Sequence, residues 1–233
     1  MRLDKYLSET GTCSRTEASK AARAGAVTVD GVPVKSAAVH IDETTARVTY
    51  LGREVIWRRF TYVMLNKPAG YISSTEEGGV TVMTLLPPEF TKMGMFPCGR
   101  LDRDTLGLLL VTNDGQTAHE LLSPKKHVAK RYRYALTDPL TDEAREKVEA
   151  GVDIGGYTTA PAKVTPDTPT RGVIEIAEGK YHQIKRMFHS VGTEICELER
   201  LTFGPLTLDP ALARGEWRYL TDDEIVQLTH PAE

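Results

Sequence analysis

The stretch GRLDRDTLGLLLVTNDG, residues 99–115, limits more than any other how this chain can fold. Its run from Leu106 to Val111 contains no polar side chain, which predicts a buried strand or a very apolar helical turn. The turn-forming string at 113–115 ends the run. Asp102 stands just before this buried element, where a carboxylate is costly to desolvate and therefore needs a partner or a chemical purpose.

The size and composition of the chain favour a folded protein of two unequal domains. It has 233 residues, of which 40% are hydrophobic and 26% charged. Neither a signal-like N-terminus nor a run of about 18 apolar residues is present, so we expect a cytoplasmic protein without membrane contact. The three cysteines fit neither a disulfide framework nor a zinc site and are expected to be buried or half-buried thiols: Cys13, Cys98 and Cys196.

Charge is distributed unevenly along the sequence. The net charge of −3 argues against a protein that coats nucleic acid by bulk charge. Residues 124–134, PKKHVAKRYRY, nevertheless carry five Lys or Arg side chains and no acid. This segment suits selective contact with RNA, and it equally suits a strand whose charges are merely solvated.

The first 40 residues predict two helices followed by a hairpin. Ser14 and Glu17 form an S-x-x-E capping box for a second helix that reaches about Ala24. VTVDGVPV predicts two short strands joined at the Asp30-Gly31 turn. Basic residues are spread over both helices: Arg2, Lys5, Arg15, Lys20 and Arg23.

This segment resembles the small RNA-binding module named after ribosomal protein S4, through RLDKYL, SRTEA and the hairpin. The resemblance implies that Arg15 and its basic neighbours face RNA phosphates. A small helical domain with solvated basic residues remains the alternative. Basic residues interrupt the pattern near Arg59, so we expect domains at 1–59 and 60–233.

The second domain is expected to be a mixed, mainly antiparallel α+β fold with a central cleft, because strands and helices do not alternate strictly. YVMLNKPAGYIS predicts a strand, a turn and a strand, and KRYRYAL a further strand. ICELERLTFGPLTL predicts two more strands, and Thr221 with Glu224 caps a helix near the C-terminus.

The segment EGKYHQIKRMFHSVG, residues 178–192, predicts an amphipathic helix. His182, Lys185 and His189 are spaced to share a stripe beside its apolar face, although such side chains are usually only solvated. Motifs for phosphate loops, dinucleotide binding, zinc hydrolysis and the serine elbow are missing from the sequence.

Together these motifs are similar to those of the RNA pseudouridine synthases, and the similarity covers essentially the whole chain. GRLD-x-D-T-x-G and the Y-H-Q-[IV]-K-R-M-F helix carry it, together with MLNKPAGYISS and GEWRYLT in the same order. Leu106 departs from the family pattern, where a second threonine is frequent. The resemblance implies a uridine isomerase in which Asp102 is the catalytic carboxylate, with no metal, nucleotide or organic cofactor.

The resemblance also implies roles for residues outside the Asp102 motif. A dry pocket would favour the neutral form of a carboxylate, so we expect Lys185 to form an ion pair with Asp102. Tyr132 would stack on the uracil and Ile184 would line an apolar wall, although Tyr132 equally suits an ordinary strand core.

Further substrate-binding residues are expected among the basic side chains. Arg100 would grip a phosphate or help displace the base, and Arg103 would face solvent or the RNA backbone. Arg186, Lys130 and Arg15 complete the predicted RNA contacts.

The implied substrate is 16S ribosomal RNA or a small-subunit assembly intermediate, bound by a monomer. Relatives that act on 23S rRNA or tRNA form the nearest alternative. A non-catalytic RNA-binding assembly factor is a second, but it has no reason to keep a carboxylate where phosphate must approach. A nucleoside hydrolase is a third; it normally needs two carboxylates, for which Asp104 is the near candidate.

Overall fold

The computed structural model of the protein describes residues 1–76 and 79–230, which form two compact units. The first unit comprises residues 1–61 and 86–96, and the second comprises 62–85 and the chain from 97 onward. The domain boundary at residue 59 stays a prediction, and positions 77–78 and 231–233 of the predicted second domain lie outside the described residues.

The first unit contains three helices and a four-stranded sheet, and an apolar core lies between the first two helices and this sheet. Its sheet has the order β2-β1-β3-β4 with antiparallel pairs. The core gathers fully buried side chains such as Leu3, Leu7 and Val48. The elements are α1 (Leu3–Glu9), α2 (Arg15–Arg23), β1 (Val27–Val29), β2 (Val32–Pro33), β3 (Val48–Tyr50), β4 (Arg53–Val55) and α3 (Pro88–Lys92).

Local sequence signals account for the start of this unit. The Ser14 hydroxyl accepts from the Glu17 amide, and the Glu17 carboxylate accepts from the Ser14 amide, so the predicted capping box is confirmed. Asp30 and Gly31 both adopt positive φ, at 51° and 81°, as a two-residue hairpin turn requires. The predicted helix, helix and hairpin are therefore present.

The second unit is built on a long, mainly antiparallel sheet. Its central strand path has the order β13-β5-β7-β11-β8-β10-β9, with β12 paired to β11. The strands are β5 (Tyr62–Lys67), β6 (Phe96–Pro97), β7 (Leu106–Thr112), β8 (Lys130–Leu136), β9 (Lys163–Thr168), β10 (Arg171–Ile176), β11 (Ile195–Phe203), β12 (Leu206–Thr207) and β13 (Trp217–Tyr219). The helices are α4 (Gly115–Leu122), α5 (Asp142–Ala150), α6 (Gln183–Ser190) and α7 (Asp222–Thr229), with 3₁₀ turns at Val82–Leu85 and Pro124–Lys126.

The apolar run after Asp102 is the central strand β7, not a helical turn. It pairs antiparallel with β5 and parallel with β11, and its residues from Gly107 to Thr112 are buried. Gly107 has a φ of 98°, and a Cβ added there would lie 2.3 Å from the Arg200 carbonyl oxygen. The motif glycine is thus required where β7 approaches β11.

Two expectations were wrong. The segment after the Pro-Ala-Gly turn forms no second strand, since Ile72 makes only an isolated bridge to Thr81 and the side chain of the next residue, Ser73, bonds to Leu101 instead. Cys196 is exposed, because it lies on a solvent-facing part of β11. Lys130, a predicted RNA contact, is buried, because side chains alternate along β8 and its own faces inward. Within the two described ranges, no helix is long and apolar enough to span a bilayer.

Candidate active site

The loop of residues 99–105, which carries Asp102, is anchored by one buried lysine through its backbone carbonyl oxygens. Lys67, at the end of β5, is fully buried, and its ammonium donates to the carbonyl oxygens of Asp102, Arg103 and Thr105 at 3.0, 3.2 and 2.8 Å. A fourth contact reaches the Pro68 carbonyl at 3.1 Å. Burial lowers the pKa of Lys67 to about 8, so the ammonium predominates at neutral pH. The lysine therefore fixes the backbone on which Asp102 is mounted.

The segment that follows β5 clamps the same loop from the side. The buried Ser73 hydroxyl donates to the Leu101 carbonyl at 3.1 Å and accepts from its amide at 3.2 Å. The Gly70 amide donates to the Arg103 carbonyl at 2.7 Å, and the Arg103 guanidinium returns a bond to the Gly70 carbonyl at 3.1 Å. Both sides of Asp102 in the chain are thus bonded to one neighbouring segment.

The Asp102 carboxylate faces the basic side chains at the start of α6. Its Oδ2 lies 3.1 Å from the Lys185 ammonium, so the predicted ion pair is present. Lys185 also contacts Asp104 Oδ1 at 2.6 Å. The side chains of Asp102 and Lys185 are 27% and 23% exposed, whereas that of Asp104 is 72% exposed. Lys185 therefore bridges an inner carboxylate and an outer one.

Electrostatics keeps this bridge ionised at neutral pH. Burial lowers the pKa of Lys185, but its bonds to Asp104 and Asp102 outweigh that effect, and the pKa lies above its ordinary value. Burial likewise raises the pKa of Asp104, but the hydrogen bond and the charge of Lys185, with smaller contributions that include His182, together outweigh it, and the net shift is downward. The ammonium is thus held in place by charge-assisted bonds on both sides.

His182 adds a second contact to the Asp102 carboxylate, which the sequence did not indicate. Its Nε2 lies 3.4 Å from Asp102 Oδ1. The residue precedes α6 in the left-handed conformation, with φ of 50°. The predicted stripe of His182, Lys185 and His189 on one helix is therefore wrong, because the helix begins only at Gln183. His189 is exposed and pairs with Glu194 instead.

A cavity of about 80 Å³ opens beside the carboxylate. Tyr132 of β8 and Ile184 of α6, both buried, line it together with Leu101 and the exposed Arg100. The expectation of a largely water-free cavity is wrong for this structure, because the Asp102 side chain remains 27% exposed at its mouth. The site is a partly open cleft with an apolar wall.

The remaining predicted RNA contacts lie outside this lining. Arg103 is exposed, as expected, and Arg186 is half-buried with its guanidinium 3.4 Å from the Tyr181 carbonyl. Lys130 borders a different cavity, and Arg15 is an exposed residue of the first unit. Across residues 1–76 and 79–230, no cluster of three His, Cys, Asp or Glu side chains is arranged to hold a metal ion.

Sequence reasoning missed Lys67, Ser73, His182 and the pairing of Asp104. A lysine at the end of a mainly apolar strand was the one available signal, since a buried ammonium needs several acceptors. Chemically, the arrangement presents a carboxylate, a cation in contact with it, and a flat aromatic wall. That combination suits stabilisation of positive charge on a sugar carbon while a planar base is held nearby.

Comparison with family models gives two matches that divide the chain. A model described as RNA pseudouridylate synthase matches residues 61–190. A model described as the S4 domain matches residues 1–45.

Full-length relatives and a solved structure agree with these matches. The chain is 48% identical to the uncharacterized RNA pseudouridine synthase YtzG of Bacillus subtilis (strain 168), over 99% of both chains. It is 41% identical to ribosomal small subunit pseudouridine synthase A of Vibrio cholerae, over 98% of this chain and 99% of the relative, and 39% identical to that of Escherichia coli (strain K12), over 98% and 100%. A crystal structure of a pseudouridylate synthase superposes with a TM-score of 0.69 at 35% identity, covering 98% of this chain and 99% of the other.

Proposed function

This chain belongs to the RNA pseudouridylate synthase family, and from that premise we propose that it isomerises one uridine of 16S ribosomal RNA to pseudouridine. The observation that carries the proposal is the contact of 3.1 Å between Asp102 and Lys185 beside a cavity walled by Tyr132 and Ile184. The residue roles below are proposals on the same footing.

Asp102 is the catalytic residue of this reaction. Breaking the bond between C1′ and N1 of uridine leaves positive charge on the sugar and negative charge on the departing base. An ionised carboxylate acts on the sugar, by attack or by charge stabilisation, and is released when C5 of the rotated base bonds to C1′. C5 then loses its proton and N1, freed from the sugar, gains one, so no atom is gained or lost overall. Lys185 orients the Asp102 carboxylate.

The apolar wall keeps the detached base in place while it rotates. Tyr132 offers a ring face for stacking, and Ile184 excludes water from one side of the cavity. Arg100, exposed at the rim, contacts a phosphate of the RNA. Because the empty cleft is partly open, the RNA itself completes the exclusion of water.

RNA is also bound by basic residues that do not line the cavity beside Asp102. Arg15 of α2, together with Arg103, Arg186 and Lys130, supplies contacts to the RNA in this proposal. These contacts offset the few kcal/mol needed to extrude a uridine from its stack. We further propose that the enzyme acts as a monomer.

The assignment to 16S rRNA rests on the names of relatives that match this chain over nearly its full length. It is tested by mapping pseudouridine in all ribosomal RNAs and tRNAs from cells with and without the gene. One site in 16S rRNA should disappear on deletion and return with the wild-type gene. Loss of a site in 23S rRNA or tRNA instead would overturn the substrate while leaving the family intact.

A further inference from the structure

A second cavity, of about 280 Å³, adjoins the first and shares Gly179 and Lys180 with it. Its other walls come from the segment 122–130, from Tyr157 and from Glu178. It is larger than the cavity beside Asp102, and the mechanism proposed above gives it no role.

A buried cation without a counter-ion borders this second cavity. Lys130 is 9% exposed, and its ammonium donates to the Val128 carbonyl at 2.8 Å. In the described ranges it has no carboxylate at ion-pair distance and no other side-chain hydrogen bond. Burial and the nearby Arg200 guanidinium lower the pKa of Lys130 to about 8. The ammonium also lies 5.6 Å from the centre of the Phe203 ring, but with one hydrogen-bond acceptor among the described residues it keeps donor capacity for a ligand.

The Tyr157 side chain, which also lines this cavity, is held in place by contacts within the protein. The Tyr157 hydroxyl donates to the Glu178 carboxylate, which also accepts from the Ala160 amide and the Gln183 side-chain amide, both at 2.9 Å. The Lys180 ammonium lies 4.3 Å from the centre of the Tyr157 ring. These contacts fix the ring and the strip of backbone that separates the two cavities.

The lining favours a nucleobase over a phosphate. Tyr157, Leu122 and Pro124 offer flat or apolar surface, while Lys130 offers buried donors. Glu178 and Lys180 in the same lining carry opposite charges, so a phosphate would gain little net attraction beyond that of Lys130. We propose that this cavity binds the base of the nucleotide adjoining the target uridine, with a carbonyl oxygen of that base accepting from the Lys130 ammonium. This inference rests on the proposed function, because it places a second nucleotide of the same RNA.

The proposal gives the enzyme a means of reading sequence next to its target. Guanine, uracil and cytosine carry an exocyclic carbonyl, whereas adenine does not, so adenine should bind this cavity less well. Stacking and the hydrogen bond also offset the cost of extruding a second base from the RNA.

The test is a double-mutant cycle between Lys130→Met and an RNA that lacks one base. Single-turnover pseudouridine formation is measured on the shortest transcript that the wild-type enzyme modifies, and on versions with an abasic residue on either side of the target. One abasic position should raise the KM of the wild type by about tenfold, the value of one charge-assisted bond. Lys130→Met should raise KM by a similar factor on intact RNA and by nothing further on that abasic RNA.

Two further variants serve as controls for this double-mutant cycle. Lys126→Met removes the same charge from an exposed lysine of the same segment, and its effect should not depend on the neighbouring base. Tyr157→Leu, at an exposed position, should weaken binding of intact RNA by about threefold and cannot act through the buried Lys130. Thermal unfolding of Lys130→Met should stay near that of the wild type, because Met preserves the length of the stem.

Several results would overturn the inference. Lys130→Met could leave KM unchanged, or its effect could add to that of the abasic residue on both sides of the target. An equal loss on intact and abasic RNA, with a salt dependence shallower by about one phosphate contact, would indicate a phosphate instead. If the modified uridine lies outside 16S rRNA, the substrate proposal fails, but the same cycle on that RNA still decides this one.

Discussion

The loop at 99–105 and the helix α2 both present charge, but they hold it in opposite ways. In the loop, Asp102 has contacts to Lys185 and His182 on its side chain and to Lys67 on its carbonyl. On α2, Arg15, Lys20 and Arg23 are exposed, and none forms an ion pair with any residue of 1–76 or 79–230.

This difference follows from what each region has to do. A carboxylate that acts on one sugar carbon must be fixed in position and ionised before the substrate arrives, since misplacement costs rate directly. Side chains that attract a phosphate backbone need only a local field, which mobile and solvated cations supply. The comparison therefore predicts that substitutions in the loop change the rate of the chemical step, and that substitutions on α2 change affinity for RNA.

Lys185→Met, which removes the cation in contact with Asp102, should have the largest effect on catalysis among the substitutions below other than that of Asp102 itself. Without the ammonium, Asp102 loses the cation that contacts and orients it, and kcat should fall by about 100- to 1,000-fold. Single-turnover kinetics on the RNA substrate measures this. Lys147→Met, which removes an exposed lysine paired with Glu143, is the control and should keep wild-type activity. Wild-type kcat in Lys185→Met would show that the ion pair has no part in catalysis.

Lys67→Met tests whether the hydrogen bonds from Lys67 anchor the loop at 99–105. The substitution leaves buried carbonyl oxygens, including those of Asp102 and Thr105, without their donor, and the free energy of unfolding should fall by about 3 kcal/mol. Urea denaturation monitored by circular dichroism provides the value. Lys163→Met, on an exposed position of β9, should stay within about 0.5 kcal/mol of wild type. Equal stability of the two variants would mean that Lys67 does not anchor the loop.

Asp104→Asn tests the charges around the loop through the pH dependence of kcat. The ammonium of Lys185 is present below its pKa, so the pair with Asp102 exists at neutral pH and is lost as pH rises through that pKa. Asp104 raises the pKa of Lys185, against the lowering effect of burial, and its removal should move the alkaline limb of kcat to lower pH. At neutral pH kcat should fall by only about fivefold, because an exposed carboxylate contributes about 1 kcal/mol or less. An unmoved alkaline limb would refute the role of Asp104.

Arg15→Ala tests the exposed basic residues of α2 and should have the smallest effect. Loss of one solvated phosphate contact should weaken RNA binding by about threefold and make the dependence of affinity on salt shallower by about one contact. The change should appear in Kd and KM rather than in kcat. Arg47→Ala, an exposed arginine already paired with Glu54, is the matched control. A fall in kcat at saturating RNA for Arg15→Ala would contradict the claim that α2 affects RNA binding and not the chemical step.

Much of the fold could be predicted because its signals are local. The capping boxes at Ser14 and Thr221 and the turn at Asp30 each depend on residues within one turn of chain, and all three are present. The strand that follows Asp102 was left undecided between strand and helical turn, because a short apolar run fits either until its partners are known.

The site could be predicted only in part, because several of its contacts span long stretches of chain. The Lys185 partner of Asp102 came from family resemblance, and the ion pair is confirmed. Lys67 reaches carbonyls 35 to 38 residues away, and no local pattern marks such a contact. His182 was assigned to a helix from its spacing, whereas its left-handed backbone conformation places it before α6 and beside Asp102. Only tertiary packing reveals these positions.

The central claim, that the Asp102 carboxylate performs the chemistry and is not needed to bind RNA, is tested most directly by Asp102→Asn. Pseudouridine formation and Kd for the same transcript are measured on the purified variant and the wild type. The account predicts no detectable pseudouridine, no free uracil from either protein, and a Kd within about threefold of wild type, since the amide removes one charge and little volume. Retained pseudouridine formation by Asp102→Asn, or release of uracil by the wild type, would contradict it.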